Sequence, residues 1–179
     1  HYDDPTLNQM IKNRTATISI HGAAGTDQII YLGGPRSTLR DEMGTQLKSS
    51  GFTVMVPPDR IGGVKKNNFI NREENNTGVQ LELTTALRKA FFNNGDTSTK
   101  NRSNESNWTP LMQTFVDALY TSINNIYPNN LWIKEDVTRE IRIYFEIIEI
   151  NTKMTITSRF ERVMKERVYT LGGLGRQIT

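Results

Sequence analysis

Apolar residues along this chain fall into short runs separated by long polar stretches, and the spacing changes from run to run. Residues 15–20 place Thr15, Thr17, Ile18 and Ile20 in a β-branched run, which predicts a strand. His21, Gly22, Ala23, Ala24 and Gly25 follow as an expected loop. Residues 28–32 predict a second strand, closed by Gly33, Gly34 and Pro35. Leu39, Met43 and Leu47 then recur at helical spacing across 38–49, with Ser37 or Thr38 to cap the helix and Gly51 to end it. A third strand is expected at 52–56, stopped by Pro57 and Pro58, and a fourth at 79–83. Between them runs a loop of about 20 residues, long for a compact domain and of the kind that often carries function. Leu87, Ala90 and Phe91 predict a helix over 84–92. Residues 93–108 are polar and are expected to form a surface loop.

Thr109 and Pro110 open the clearest helix, with a capping threonine and proline at the first helical position. Leu111, Phe115, Leu119 and Ile123 repeat every fourth residue, and Met112, Val116 and Tyr120 widen the stripe. Beyond residue 130 the character changes. Ile141, Ile143, Phe145 and Ile147 alternate with polar positions as in a strand, 153–157 reads as a second strand, and 159–169 as a charged helix. Strands alternating with helices predict an α/β sheet. Two units are expected: a domain over 1–127 and a C-terminal extension over 128–179.

Composition narrows the chemistry. The 179 residues contain no cysteine, which excludes disulfides, a cysteine-based zinc site and a thiol nucleophile. Histidine occurs only at His1 and His21, so any metal depends on few imidazoles. The net charge of +3 is too small to indicate nucleic acid and would not repel a polyanion. No apolar run approaches the ~18 residues of a membrane span, and no signal peptide opens the chain. Its first residue is His1, which leads us to expect a start inside a longer protein. There is no Gly-X-Ser-X-Gly elbow, Walker loop, dinucleotide fingerprint or HExxH.

Three residues could carry chemistry. His21 sits where the first strand runs out, the position at which open α/β sheets build their sites. It is either a zinc ligand or a histidine bonded to a nearby carbonyl. Glu82 is the lone acid in an apolar strand. With Val79, Leu81 and Leu83 facing the core, Gln80 and Glu82 share the opposite face. A half-buried carboxylate there has a raised pKa, suited to general acid–base work. The alternative is an exposed glutamate paired with Arg88 or Lys89. Arg72, beside Asn67, Asn68, Phe69, Ile70 and Asn71 in the long loop, could grip a carboxylate or belong to a solvated charge run with Lys65 and Lys66.

Five segments come in the order found in the poly-γ-glutamate hydrolase family. They are His1-Tyr2-Asp3-Asp4-Pro5, Ser19-Ile20-His21-Gly22, Tyr31-Leu32-Gly33-Gly34, Asn67 through Arg72, and Gly78-Val79-Gln80-Leu81-Glu82-Leu83 with Leu87 and Arg88. The chain resembles that family over residues 1–127. The resemblance implies a mixed sheet flanked by helices, like a zinc carboxypeptidase and incomplete at its N-terminus. It also implies zinc held by two histidines and a glutamate, with His21 as one ligand, Glu82 as the general base and Arg72 meeting substrate carboxylate. The upstream histidine and glutamate of the family pattern precede the first segment and have no counterpart here.

The reading that follows is zinc-dependent hydrolysis of γ-glutamyl amide bonds. Its rivals are a non-catalytic remnant of the same fold and a related amidase acting on peptidoglycan stem peptides. The expected partner is polyanionic poly-γ-glutamate, with neither nucleic acid nor membrane. A soluble monomer is expected, acting on extracellular capsule polymer if it is released.

Overall fold

The computed structural model describes residues 16–72, 75–102 and 104–128, apart from the side chain of Thr99. The strands expected near 141–147 and 153–157, the helix at 159–169 and His1 lie outside these residues. No helix among those described is long and apolar enough to cross a membrane.

Four strands form one mixed sheet, β1 (Ile18–Ala23), β2 (Ile29–Gly33), β3 (Thr53–Met55) and β4 (Val79–Thr84), in the order β1-β4-β2-β3. β4 runs parallel to β1 and antiparallel to β2, which runs parallel to β3. This is the α/β architecture expected, a mixed sheet flanked by helices. All six residues of β4 are buried. Val79, Leu81 and Leu83 join the apolar core together with Ile30, and Gln80, Glu82 and Thr84 alternate onto the other face.

Helices α1 (Thr38–Ser49) and α4 (Pro110–Ile126) pack against each other and into that core. Leu39, Met43 and Leu47 from α1 and Phe115, Leu119 and Ile123 from α4 are buried, as their periodicity predicts. Ser37 caps α1, its hydroxyl accepting from the Arg40 N–H. Gly51 follows the helix with φ +88°, a conformation that favours glycine. The short α2 (Thr85–Ala90) is capped by Thr84.

Three expectations need correction. β1 continues through His21, Gly22 and Ala23 because these residues pair with Glu82, Leu83 and Thr84 of β4, so His21 lies within a strand and not in a loop beyond it. Thr109 precedes α4 but does not cap it with its side chain; its hydroxyl donates to the Ala90 carbonyl instead. Residues 93–102 and 104–108 of the expected surface loop are folded into turns and a short helix, α3 (Thr99–Arg102). Phe92 bridges to Trp108, whose indole N–H donates to the Arg102 carbonyl, so an apolar anchor at each end organises the polar stretch.

Candidate functional site

The polar face of the sheet is built by register. Paired residues in a sheet point to the same side, and His21 pairs with Glu82, which pairs in turn with Tyr31 on β2. Two residues earlier, Ser19 stands beside Gln80. The structure therefore brings His21 and Glu82 together on neighbouring strands, with Gln80 next in line.

Glu82 is only 7% exposed. One carboxylate oxygen accepts from the Gln80 side-chain amide at 3.0 Å. Burial raises its pKa above the ordinary carboxylate range, against smaller opposing effects from the Gln80 hydrogen bond and the charges of Arg60 and Arg88. An exposed ion pair to Arg88 is not what forms. The Arg88 guanidinium donates to the carbonyls of Leu83 and Ala23 and to the Thr85 hydroxyl.

Burial pushes the pKa of His21 down, which favours neutral imidazole. Among the described residues its Nε2 is buried without a hydrogen-bond partner, as are the hydroxyls of Ser19 and Thr17, which alternate with it along the chain. A buried nitrogen with no partner is uncommon and calls for an explanation.

The long loop after β3 covers this face. The Gln80 amide donates to the Ile61 carbonyl at 2.9 Å, and its oxygen accepts from Asn68 at 3.1 Å. Asn71 donates to the carbonyls of Gly63 and Lys65, and the Gly34 N–H to the Gly62 carbonyl. Gly63 passes directly over Gln80 with φ +67°, and a Cβ there would lie 2.8 Å from Gln80 Oε1. Under the loop lies a cavity of about 330 Å³ whose lining includes His21, Arg60, Lys65, Asn67, Asn68 and Gln80.

Arg72 lies at the end of the 3-10 turn Phe69–Asn71 and donates to the Asn67 carbonyl. It bounds the same loop, but among the described residues the cations lining the cavity are Arg60 and Lys65. Gln80, Asn68 and Asn71 were not singled out as functional from the sequence. Gln80 alone had a signal, a second polar residue on the Glu82 face of a buried strand.

An unpartnered, neutral imidazole nitrogen is the form a zinc ligand takes. Yet the described residues include no group of three or more His, Asp or Glu able to hold a metal ion. They fit one donor of a zinc site and do not complete one among themselves.

Comparison with known proteins gives the family and the fold. A family model described as poly-gamma-glutamate hydrolase matches residues 1–118. The UPF0714 protein YndL of Bacillus subtilis (strain 168) is 30% identical over 129 residues, covering 71% of this chain and 50% of YndL. The SPbeta prophage-derived UPF0714 protein YoqZ of the same strain is 26% identical over 95 residues, covering 52% of this chain and 35% of YoqZ. The chain thus spans half or less of these relatives. Among solved structures, a bacteriophage poly-gamma-glutamate hydrolase superposes with a TM-score of 0.66 at 30% identity, covering 73% of this chain and 62% of that one. YndL in its apo, zinc-free form gives 0.64 at 28% identity, covering 71% and 62%.

Proposed function

This chain belongs to the poly-γ-glutamate hydrolase family, and from that membership and the pairing of His21 with Glu82 we propose that it carries the general-base side of a zinc-dependent hydrolase of γ-glutamyl amide bonds. One observation supports the reading above the rest. An unpartnered neutral imidazole and a buried carboxylate of raised pKa stand in register on neighbouring strands, facing the same way.

His21 Nε2 would donate one lone pair to zinc, and the remaining ligands would come from outside the described residues. When bound, zinc supplies Lewis acidity toward water and carbonyl oxygen. Glu82 takes one proton from the attacking water as its oxygen bonds to the amide carbon. It returns that proton to the departing nitrogen as the C–N bond breaks, so the carboxylate ends the cycle as it began. Gln80 holds one Glu82 oxygen, which leaves the other for the proton. Arg60 and Lys65, set against the carboxylate of Asp59, leave the cavity lining net positive for a polyanionic chain. Arg72 is assigned to a substrate carboxylate at the loop's edge.

Replacing Glu82 with Gln tests this directly. Glu82→Gln keeps the shape but cannot carry a proton, and Glu82 is not assigned as a zinc ligand. In a protein that supplies the remaining zinc ligands, zinc content should therefore be unchanged, while release of new amino groups from poly-γ-glutamate falls at least ~100-fold. A variant retaining half its turnover removes Glu82 from the mechanism.

A further inference from the structure

A second, larger cavity lies on the other side of the covering loop, between α1 and the β3 edge of the sheet, with a volume of about 540 Å³. It shares Asp59, Val64 and Lys65 with the cavity at His21, so one stretch of loop walls both. Met55, Val56 and Val64, the large apolar side chains most exposed among the described residues at 48%, 87% and 60%, all line it. Exposed apolar residues scattered singly need no explanation, but a cluster in one groove marks a binding surface.

The charges at the rim carry a small positive excess. Arg40 is neutralised by Asp41 at 3.0 Å and also donates to the Gly34 carbonyl. Lys48 and Lys65 form no ion pair among the described residues. The groove therefore offers an apolar floor with two ammonium groups at its border, set against the one carboxylate of Asp59. A ligand matched to it has methylenes for the floor and repeated carboxylates for the ammoniums. A γ-linked glutamyl chain has that composition in every unit: two methylenes in the backbone and a free α-carboxylate beside each amide.

We propose that this groove is a secondary anchoring site for a γ-glutamyl chain, holding units that lie beyond the bond at Glu82. The proposal rests on the substrate class proposed above. It adds a surface that touches none of the reacting atoms, with Lys48 and Lys65 as specificity residues.

The test is a titration of the full 179-residue chain with a γ-glutamyl oligomer long enough to reach both cavities, followed by proton–nitrogen correlation spectra. Amides of Gly44, Thr45 and Val56 report on the groove, and those of Gly63 and Asn67 on the His21 cavity. Both sets should shift. Lys48→Glu should weaken the oligomer about three- to tenfold, with Lys48→Gln intermediate, in keeping with loss and reversal of one exposed charge contact. A γ-glutamyl dimer should bind both variants as it binds the parent. Lys89→Glu, outside the groove, should leave oligomer binding unchanged.

Shifts confined to Gly63 and Asn67 would overturn the groove while sparing the proposed function. Shifts confined to the groove amides would support the anchoring site and count against the reading at His21. Shifts at neither set would overturn both. Equal groove shifts from polyphosphate would show unspecific anion attraction and overturn the γ-glutamyl assignment.

Discussion

His21 is held in an environment that resists its protonation, and this has a consequence for stability. Its pKa is lowered in the folded chain by burial. In the unfolded chain it titrates near ~6.5. Below that value the unfolded chain binds a proton that the folded chain refuses, so His21 makes stability fall as pH drops and contributes no slope above it. Glu82 acts in the opposite sense. Its raised pKa means that the folded chain takes up a proton more readily, so acidification favours folding through this group. Comparing variants separates the two. With a chelator present, the urea midpoint of wild type relative to His21→Leu should decline from about pH 7 toward pH 5. Parallel curves would mean that His21 is already solvated in the folded state. The Glu82 environment was legible from a single acid among leucines in a run of alternating residues. The unpartnered Nε2 of His21 was not, because it depends on where β4 lies.

At the scale of elements, the helices were easier to read than the strand ends. The stripes of α1 and α4 repeat every three to four residues, and one buried face is enough to specify them. β1 runs on through Gly22 and Ala23, two residues of weak strand preference, only because β4 provides partners for them. Similarly, the polar run over 93–108 gave no hint that Phe92 and Trp108 would close it. The core beneath these elements has a well-defined centre. Phe115 of α4 stacks near Phe91 at 5.2 Å between ring centres and meets Phe52 edge-on at 5.9 Å. Phe115→Ala should therefore cost about 3–5 kcal/mol of unfolding free energy, measured by urea denaturation. A loss below about 1 kcal/mol would mean that the three rings do not form a common core.

Across the whole molecule, the covering loop and the sheet behave as one piece because Gln80 joins them. Its side chain contacts Ile61, Asn68 and Glu82 at once. Gly63 crosses it with a positive φ and no room for a Cβ. Gly63→Ala should then strain the backbone and displace the loop, costing about 1–3 kcal/mol. The Gly34 N–H, which donates to the Gly62 carbonyl, should exchange with solvent faster, while amides in α4 keep their protection relative to global stability. Unchanged exchange at Gly34 would show that the loop is held independently of Gln80. That coupling could not have been read from the sequence, where the loop showed only glycine, asparagine and charge.

The pairing of β1 with β4 joins residues about 60 positions apart in the chain. Neighbouring strands linked by so long a segment cannot form from local contacts. The loop-closure entropy must be overcome before the pairing yields any gain, and topologies dominated by such contacts fold slowly. His21 and Glu82 therefore meet only when that distant closure is complete. Among the described residues, no isolated strand or helix pair other than β1 with β4 sets His21 beside Glu82, so this half of the site waits on that closure.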